Sequence, residues 1–411
     1  MTHIYKKSTA LIAGAALSLS LIQPGEAAVE SNTYQTFTDV DRSSEFYDSI
    51  ESMYYKGVMS GYQTGSNFLD PKEMKPLQPV TRAQASKMMV NAAGMFPATQ
   101  NTNSFEDVPE SHWADTYVTL LSRADVISGK EDGSFDPEGQ LNRAQVAKMI
   151  AETFDLPLND GETSFEDVPE DSWFAPYVNA LLDSGITTGR TEDSFDPYGT
   201  VTRYQLAAFL DRALDQLTVD EMNDRQTLMI ARETLVKLND QLSYQRKNAD
   251  STEDLPGYDT FSESVTPFVT DDYEPTLIER YENVCVNCGA TLFHAPFFPE
   301  KYIDFDVKNE DAISFTVAQF DSPYLMEVDL LRNGEQWQVN GYIPDGEDTP
   351  PAPVDFEQAA NFVQYLYEGG AYDRITYLDE RPDAYRFYHE KNGLETIFVV
   401  NKNTGAITIE P

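Results

Sequence analysis

The chain has 411 residues, room for two or three domains, and is 41% hydrophobic, enough for real cores. It carries 29 Lys and Arg against 69 Asp and Glu, a formal charge of -40 with a pI near 4.2. That balance argues against a nucleic-acid partner, whose phosphates need a basic surface, and equally against an anionic membrane surface; it suits a protein kept soluble in a salty or alkaline exterior.

Residues 1–28 read as a secretory signal peptide. Lys6 and Lys7 give a positive start, Leu11 to Ile22 is small and apolar, and Pro24-Gly25-Glu26-Ala27-Ala28 offers a cleavage site after Ala27 or Ala28. The apolar run is too short for a spanning helix, and no later run approaches the roughly 18 apolar residues one needs. The expected mature protein is exported, soluble and held outside by something other than a membrane span.

A threefold repeat then organises the chain. Each copy opens on an aromatic and an aspartate: Phe37-Thr38-Asp39-Val40, Phe105-Glu106-Asp107-Val108 and Phe165-Glu166-Asp167-Val168. Each reaches a glycine 22 residues after that aspartate, at Gly61, Gly129 and Gly189. An arginine follows after 14 residues in copies two and three, and after 21 in copy one, which carries an insertion around Lys72 to Gln78. The repeats span 35–97, 103–157 and 163–217.

Each copy reads as two helices. The first shows apolar residues at helical spacing: Phe46, Ile50, Met53, Tyr54; Trp113, Tyr117, Leu120, Leu121; Trp173, Tyr177, Leu181. Ser44, Ser111 and Asp171 stand two residues before the leading aromatic, where an N-cap belongs. A Gly-rich turn and Phe-Asp-Pro follow, written Phe68-Leu69-Asp70-Pro71 in copy one. The second helix starts at Thr81-Arg82-Ala83-Gln84, Asn142-Arg143-Ala144-Gln145 and Thr202-Arg203-Tyr204-Gln205, each fitting a capping box or its Asn variant. Its expected buried face is Ala85, Met88, Met89; Val146, Met149, Ile150; Leu206, Phe209, Leu210.

Arg82, Arg143 and Arg203 therefore sit at the first helical position, beside free amides, where a cation is disfavoured by about 0.3–1 kcal/mol. A guanidinium there suits an external anion. It equally suits pairing with Asp39, Asp107 or Asp167, and the residues alone leave both open.

Together these motifs, three times over across about residues 35–215, closely resemble S-layer homology domains. The resemblance implies a mainly α, pseudo-threefold bundle that binds a secondary cell-wall polysaccharide non-covalently, often one with pyruvate ketals on its sugars. It implies that Arg82, Arg143 and Arg203 hold the ketal carboxylate. Trp113 and Trp173 would wall a sugar groove with Ser111 and Asp171 nearby, and Gly129 and Gly189 would allow close backbone approach. Copy one departs from the pattern, with Phe46 for the tryptophan and the insertion, so its site is expected to be weaker or purely structural.

Beyond the repeats, residues 218–247 read as a helical connector. Leu228, Ala231, Leu235, Leu238 and Leu242 recur at spacings of three and four, which fits a stalk or short coiled coil and fits equally a helix packed back on the bundle. Residues 248–275 read as an acidic linker. Residues 276–411 read as an α+β module: strands at Ala312–Phe320 and Tyr324–Leu331, a hairpin turn at Arg332-Asn333-Gly334-Glu335, and a return strand at Gln336–Ile343. A helix at Phe356–Glu368 and a meander over Ala384–Lys391, Leu394–Asn401 and Ala406–Glu410 complete it. Its end resembles PepSY-type modules and its first half resembles NTF2-like folds; neither likeness assigns a function.

Cys285-Val286-Asn287-Cys288, with His294 beyond, is the one local constellation. A disulfide, free or redox-active thiols, and half a zinc site are each compatible with it. No metal, cofactor or catalytic residue is assigned, since no phosphate loop or nucleophile signature is present. Three functions follow: a wall-anchored surface protein displaying the C-terminal module, an anchored enzyme acting on wall or nutrient polymers, and a regulator or inhibitor that docks a protein partner through that module. All three are extracellular, at the cell wall of a bacterium.

Overall fold

A computed structural model describes residues 34–65, 72–95, 105–109, 111–246, 249, 251, 254–283, 293, 302–318, 325–343, 375–391, 394–403 and 407–410. The expected signal peptide, Cys285, Cys288, His294 and the expected helix Phe356–Glu368 lie outside the described residues. Helices fill most of the N-terminal part and strands most of the C-terminal part, an α+β layout. No described helix is long and apolar enough to cross a membrane.

The repeats supply six helices: α1 (Tyr47–Tyr55) and α2 (Arg82–Ala92), α3 (Asp115–Arg123) and α4 (Arg143–Thr153), α5 (Ala175–Asp183) and α6 (Arg203–Leu214). Thr81 with Gln84 and Asn142 with Gln145 form reciprocal capping boxes, and Gln205 Oε1 accepts from the Thr202 amide at 3.0 Å. The expected buried faces of these second helices are all in the core. The first helices begin later than the spacing suggests. Their N-cap positions are Phe46, Ala114 and Phe174, without side-chain caps. Ser44, Ser111 and Asp171 are corrected accordingly: a hydrogen-bonded turn lies between them and the helix. In it the Tyr47, Asp115 and Ala175 amides donate to the carbonyls of Ser44, His112 and Ser172.

Packing runs between repeats rather than within them. α2 packs on α3, α4 on α5, and α6 back on α1. The backbone follows the same cycle, with bridges Thr81 to Gln140, Asn142 to Thr200 and Pro79 to Thr202. In copy one, the two-residue strands β1 (Tyr62–Gln63) and β2 (Lys72–Glu73) pair antiparallel.

Helix α7 (Asp224–Arg246) is not a free stalk. Met229 belongs to the core of the repeats, while Leu228, Ala231, Leu235, Leu238 and Leu242 enter a second core. One helix thus closes two cores, which an isolated apolar stripe cannot reveal. The linker reading of 248–275 is corrected by the same core. Residues 258–260, 262–264 and 266–268 form 3-10 turns, and they and their flanks bury Tyr258, Phe261, Val265, Val269 and Tyr273. Five large apolar residues among acids were enough to hold the segment down. Helix α8 (Glu274–Asn283) follows and buries Leu277 and Tyr281.

Strands β3 (Tyr302–Lys308), β4 (Ala312–Ala318), β5 (Leu325–Asn333) and β6 (Gln336–Ile343) form an antiparallel meander in chain order. Gly334, at φ +65°, makes the β5–β6 turn where it was expected. Ile313, Phe315, Val328, Leu330 and Val339 cover α7 and the 3-10 turns. A second antiparallel sheet comprises β7 (Ile375–Arg381), β8 (Ala384–Lys391), β9 (Leu394–Asn401) and β10 (Ile407–Glu410), ordered β10-β9-β8-β7. Strands β3 and β7 were not expected from the sequence; in β3 Ile303, Phe305 and Val307 alternate with Asp304 and Asp306, a strand signal that was overlooked, whereas in β7 Leu378-Asp379-Glu380 breaks the alternation.

The seam between α1 and α7 is polar. Lys56 lies 3.6 Å from Asp211 and 3.7 Å from Glu233. Deeper in, Thr36 Oγ1 donates to Glu51 Oε2 at 3.1 Å and meets the Tyr55 hydroxyl at 2.8 Å. Burial pushes the Glu51 and Asp240 carboxyls up to about 7, and the nearby Asp240 further disfavours charge on Glu51. A carboxyl raised above its unfolded value stabilises the fold fully below the unfolded pKa, and that contribution is lost as pH rises through the folded value. The window is therefore about pH 4 to 7. Glu51→Gln should melt higher than the wild type at pH 8 and show no advantage at pH 4, as scanning calorimetry at the two values would read.

Candidate functional site

The three arginines are placed by their capping boxes at the start of α2, α4 and α6, and each reaches into the next repeat. Arg82 Nε donates to the Phe135 carbonyl at 2.7 Å and Nη2 to the Ser128 carbonyl at 3.1 Å. Arg143 Nε donates to the Phe195 carbonyl at 2.6 Å. Arg203 closes the cycle on repeat one, with Nε on the Met74 carbonyl and Nη2 on the Ser60 carbonyl, both at 2.9 Å. Arg82 and Arg143 lie over the Phe135 and Phe195 rings at 4.4 and 4.5 Å.

The aspartates of the opening motif grip the same turn from the other side. Asp107 accepts from the Phe135 and Asp136 amides, Asp167 from those of Phe195 and Asp196, and Asp39 from those of Met74 and Lys75. Burial raises the Asp107 and Asp167 carboxyls, but the backbone donors outweigh it and hold both below the ordinary value. In place of direct Arg–Asp ion pairs, one of the two arrangements the residues left open, arginine and aspartate share a turn: the carboxylate takes its N–H groups and the guanidinium its carbonyl. Burial lowers the pKa of all three arginines, opposed by those nearby carboxylates.

This geometry also re-registers copy one. The equivalent of Phe135-Asp136-Pro137 is Met74-Lys75-Pro76, not Phe68-Leu69-Asp70-Pro71. Lys75, Asp136 and Asp196 share a left-handed φ of 54–60° before their prolines. The extra residues of copy one therefore fall between Gly61 and Met74 rather than around Lys72 to Gln78.

The glycines serve the fold first. A Cβ at Gly61, Gly129 or Gly189 would meet the Phe37, Phe105 or Phe165 ring of the same repeat at 2.8, 2.6 and 2.5 Å. The opening aromatic packs under the glycine turn, which presents the Ser128 carbonyl to Arg82.

Two grooves result, each assembled from three repeats. One, of about 1130 Å³, brings together Arg82, Gly129, Lys148, Trp173 and Tyr177. The other, about 370 Å³, brings together Arg203, Gly61, Lys87 and Trp113. Trp173 is 55% exposed, so it is not a core residue; Trp113 is half-buried against the core beside His112 and Tyr117. Ser111 and Asp171 are exposed and are not among the described lining residues of either groove. Lys87 and Lys148 were missed, although each follows its arginine by five residues. By the same cyclic order, the third position combines Arg143 and Gly189 with Phe46 and Ala208. There Phe46 lies against Tyr204, ring centroids 4.0 Å apart, and Arg143 is buried, its Nη2 without a hydrogen-bond partner among the described residues. Copy one's missing tryptophan therefore affects the groove of Arg143, not that of Arg82.

Residues 36–86, 104–147 and 164–207 match the model of the S-layer homology domain. The chain carries three tandem S-layer homology domains. Across 205 residues it is 32% identical to an uncharacterized cell wall amidase of Bacillus anthracis, covering 49% of this chain and 35% of the relative. It is 29% identical over 212 residues to an S-layer protein of Bacillus thuringiensis subsp. finitimus, covering 51% and 24%. It is 25% identical over 150 residues to a cellulosome-anchoring protein of Acetivibrio thermocellus, covering 34% and 33%. The chain thus spans only a quarter to a third of the length of these relatives. With these domains the protein is extracellular and cell-wall-associated.

The S-layer homology turns set a stability test. Gly129→Ala should cost about 1–3 kcal/mol in urea unfolding, because the new methyl meets both the Phe105 ring and the Ser134 carbonyl at 2.6 and 2.8 Å. Gly257→Ala, with open space and ordinary φ, should change stability by less than about 1 kcal/mol.

Proposed function

We propose that the three domains form a pseudo-threefold bundle that anchors this surface protein to the cell wall by gripping a secondary wall polysaccharide carrying pyruvate ketals. The observation that carries this reading is the pair of grooves in which an arginine, a glycine turn, a lysine and a tryptophan from three successive repeats converge. The tryptophan offers a flat apolar face to a sugar ring. The lysine and the guanidinium offer positive charge to a ketal carboxylate in a chain that is otherwise strongly acidic. The carbonyl bonds hold each guanidinium in place before the ligand arrives, which lowers the ordering cost of binding.

The groove of Arg82 is the larger of the two, and that of Arg203 is the second site. The position of Arg143 is structural, its aromatic being Phe46 stacked on Tyr204. The part displayed outward includes both C-terminal sheets.

Co-sedimentation of the full chain with purified sacculi tests this, before and after the secondary polysaccharide is stripped. Binding should require the polysaccharide. Arg82→Gln and Trp173→Ala should each weaken it about tenfold, while Arg143→Gln should leave affinity near the wild-type value. Equal binding to stripped sacculi would refute the reading.

A further inference from the structure

A further cavity, of about 860 Å³, shares no described lining residue with either groove. Helices α1 and α7 form one wall. The 3-10 turns 262–264 and 266–268, with the start of β6, form the other. Trp337 and Phe268, both half-buried, line that second wall. The volume suits a small organic ligand.

Eight carboxylates and four cations are among the described lining residues. That ratio is close to the 69 to 29 of the whole chain, so an excess of acid is not in itself a signal. The signal is where the cations are engaged. Lys56 lies 3.6 Å from Asp211 and 3.7 Å from Glu233. Lys237 pairs with Glu233 at 2.6 Å and Arg332 with Glu310 at 3.1 Å, while Arg42 donates to the Tyr34 carbonyl at 3.0 Å. Two carboxyls on the helical wall are left without an ion pair among the described residues. Glu51, 9% exposed, lies at the inner end, where Lys237 and Arg42 offset its burial only from a distance. Burial also raises the Asp215 carboxyl; Lys56 pulls against that, and Asp211 and Glu233 add to it. Structural need does not explain Glu51, since a glutamine would accept the Thr36 hydroxyl equally well. Two carboxyls that resist ionisation, in one cavity with an indole, mark a binding site.

We propose that this cavity binds a small organic ammonium, its protonated amine on the wall of Glu51 and Asp215 and its body against Trp337. The ligand supplies the positive charge that the four engaged cations do not. The indole suits its body, whether alkyl or sugar, and attracts the cation itself. A metal ion is a poorer fit, because no three Asp, Glu, His or Cys among the described residues are grouped to hold one.

Isothermal titration calorimetry of the full chain at physiological ionic strength tests this. The ligands are glucosamine and cadaverine, with glucose as the uncharged counterpart. No wall material is present, so the outcome is independent of the wall-binding reading. We expect an amine to bind at millimolar concentration or below and glucose not to bind. Glu51→Gln should weaken amine binding about tenfold, the loss of a hydrogen bond to a charged group. Asp215→Asn, on the more exposed side, should weaken it about threefold. Diffuse attraction to a chain of charge -40 would barely register either change. A loss in either variant supports the site, and the tighter amine identifies the body as sugar or alkyl. No binding of either amine, equal binding of glucose, or unchanged amine affinity in both variants would overturn it.

Discussion

The N-terminal half of this protein depends on one repeated contact: a guanidinium from one repeat bonding a backbone carbonyl at the turn of the next. The turn is held at both poles, its amides by an aspartate of its own repeat and its carbonyl by an arginine of the repeat before. Each hydrogen bond to a charged group is worth about 1.5–3 kcal/mol when buried. More consequential than the energy is the connectivity. Because Arg203 reaches back to Met74 and Ser60, no repeat completes its own turn, and the three stand or fall together.

That constraint also dictates how the two grooves are assembled. An arginine fixed across a repeat boundary, a glycine turn beyond it and an aromatic on the following helix necessarily come from three different copies. A substitution in one copy is therefore expressed in a groove whose charge belongs to another. Phe46 illustrates this. It replaces a tryptophan in copy one, and its ring fills space beside Tyr204 at the position served by Arg143. Helix α7 extends the same logic beyond the repeats, since its apolar faces close two cores.

Local patterns made much of this legible. The capping boxes at Thr81 and Asn142, the apolar face of each second helix and the Asn333-Gly334 turn are set by contacts a few residues apart, and the sequence displays them directly. The partners of Arg82, Arg143 and Arg203 were not legible, because a backbone carbonyl more than forty residues away leaves no side-chain signature. The Phe-Leu-Asp-Pro of copy one misled for a related reason: an insertion shifted the true turn to Met74-Lys75-Pro76, whose side chains share only the proline. Residues 254–275 looked like linker because their aromatics are diluted by acids, yet Tyr258, Phe261 and Val265 sit in a core that forms only once α7 and the sheet are present. Burial supplied by distant segments overrides local composition.

The central claim is that each groove pairs an arginine with a tryptophan two repeats ahead. A double-mutant cycle on polysaccharide binding tests it most directly, using Arg82→Gln with Trp173→Ala and, as the control, Arg82→Gln with Trp113→Ala. Residues that share a ligand show coupling of about 0.5–3 kcal/mol, and independent sites add. The account predicts coupling for Arg82 with Trp173 and additivity for Arg82 with Trp113. Additivity in the first pair with coupling in the second would contradict it.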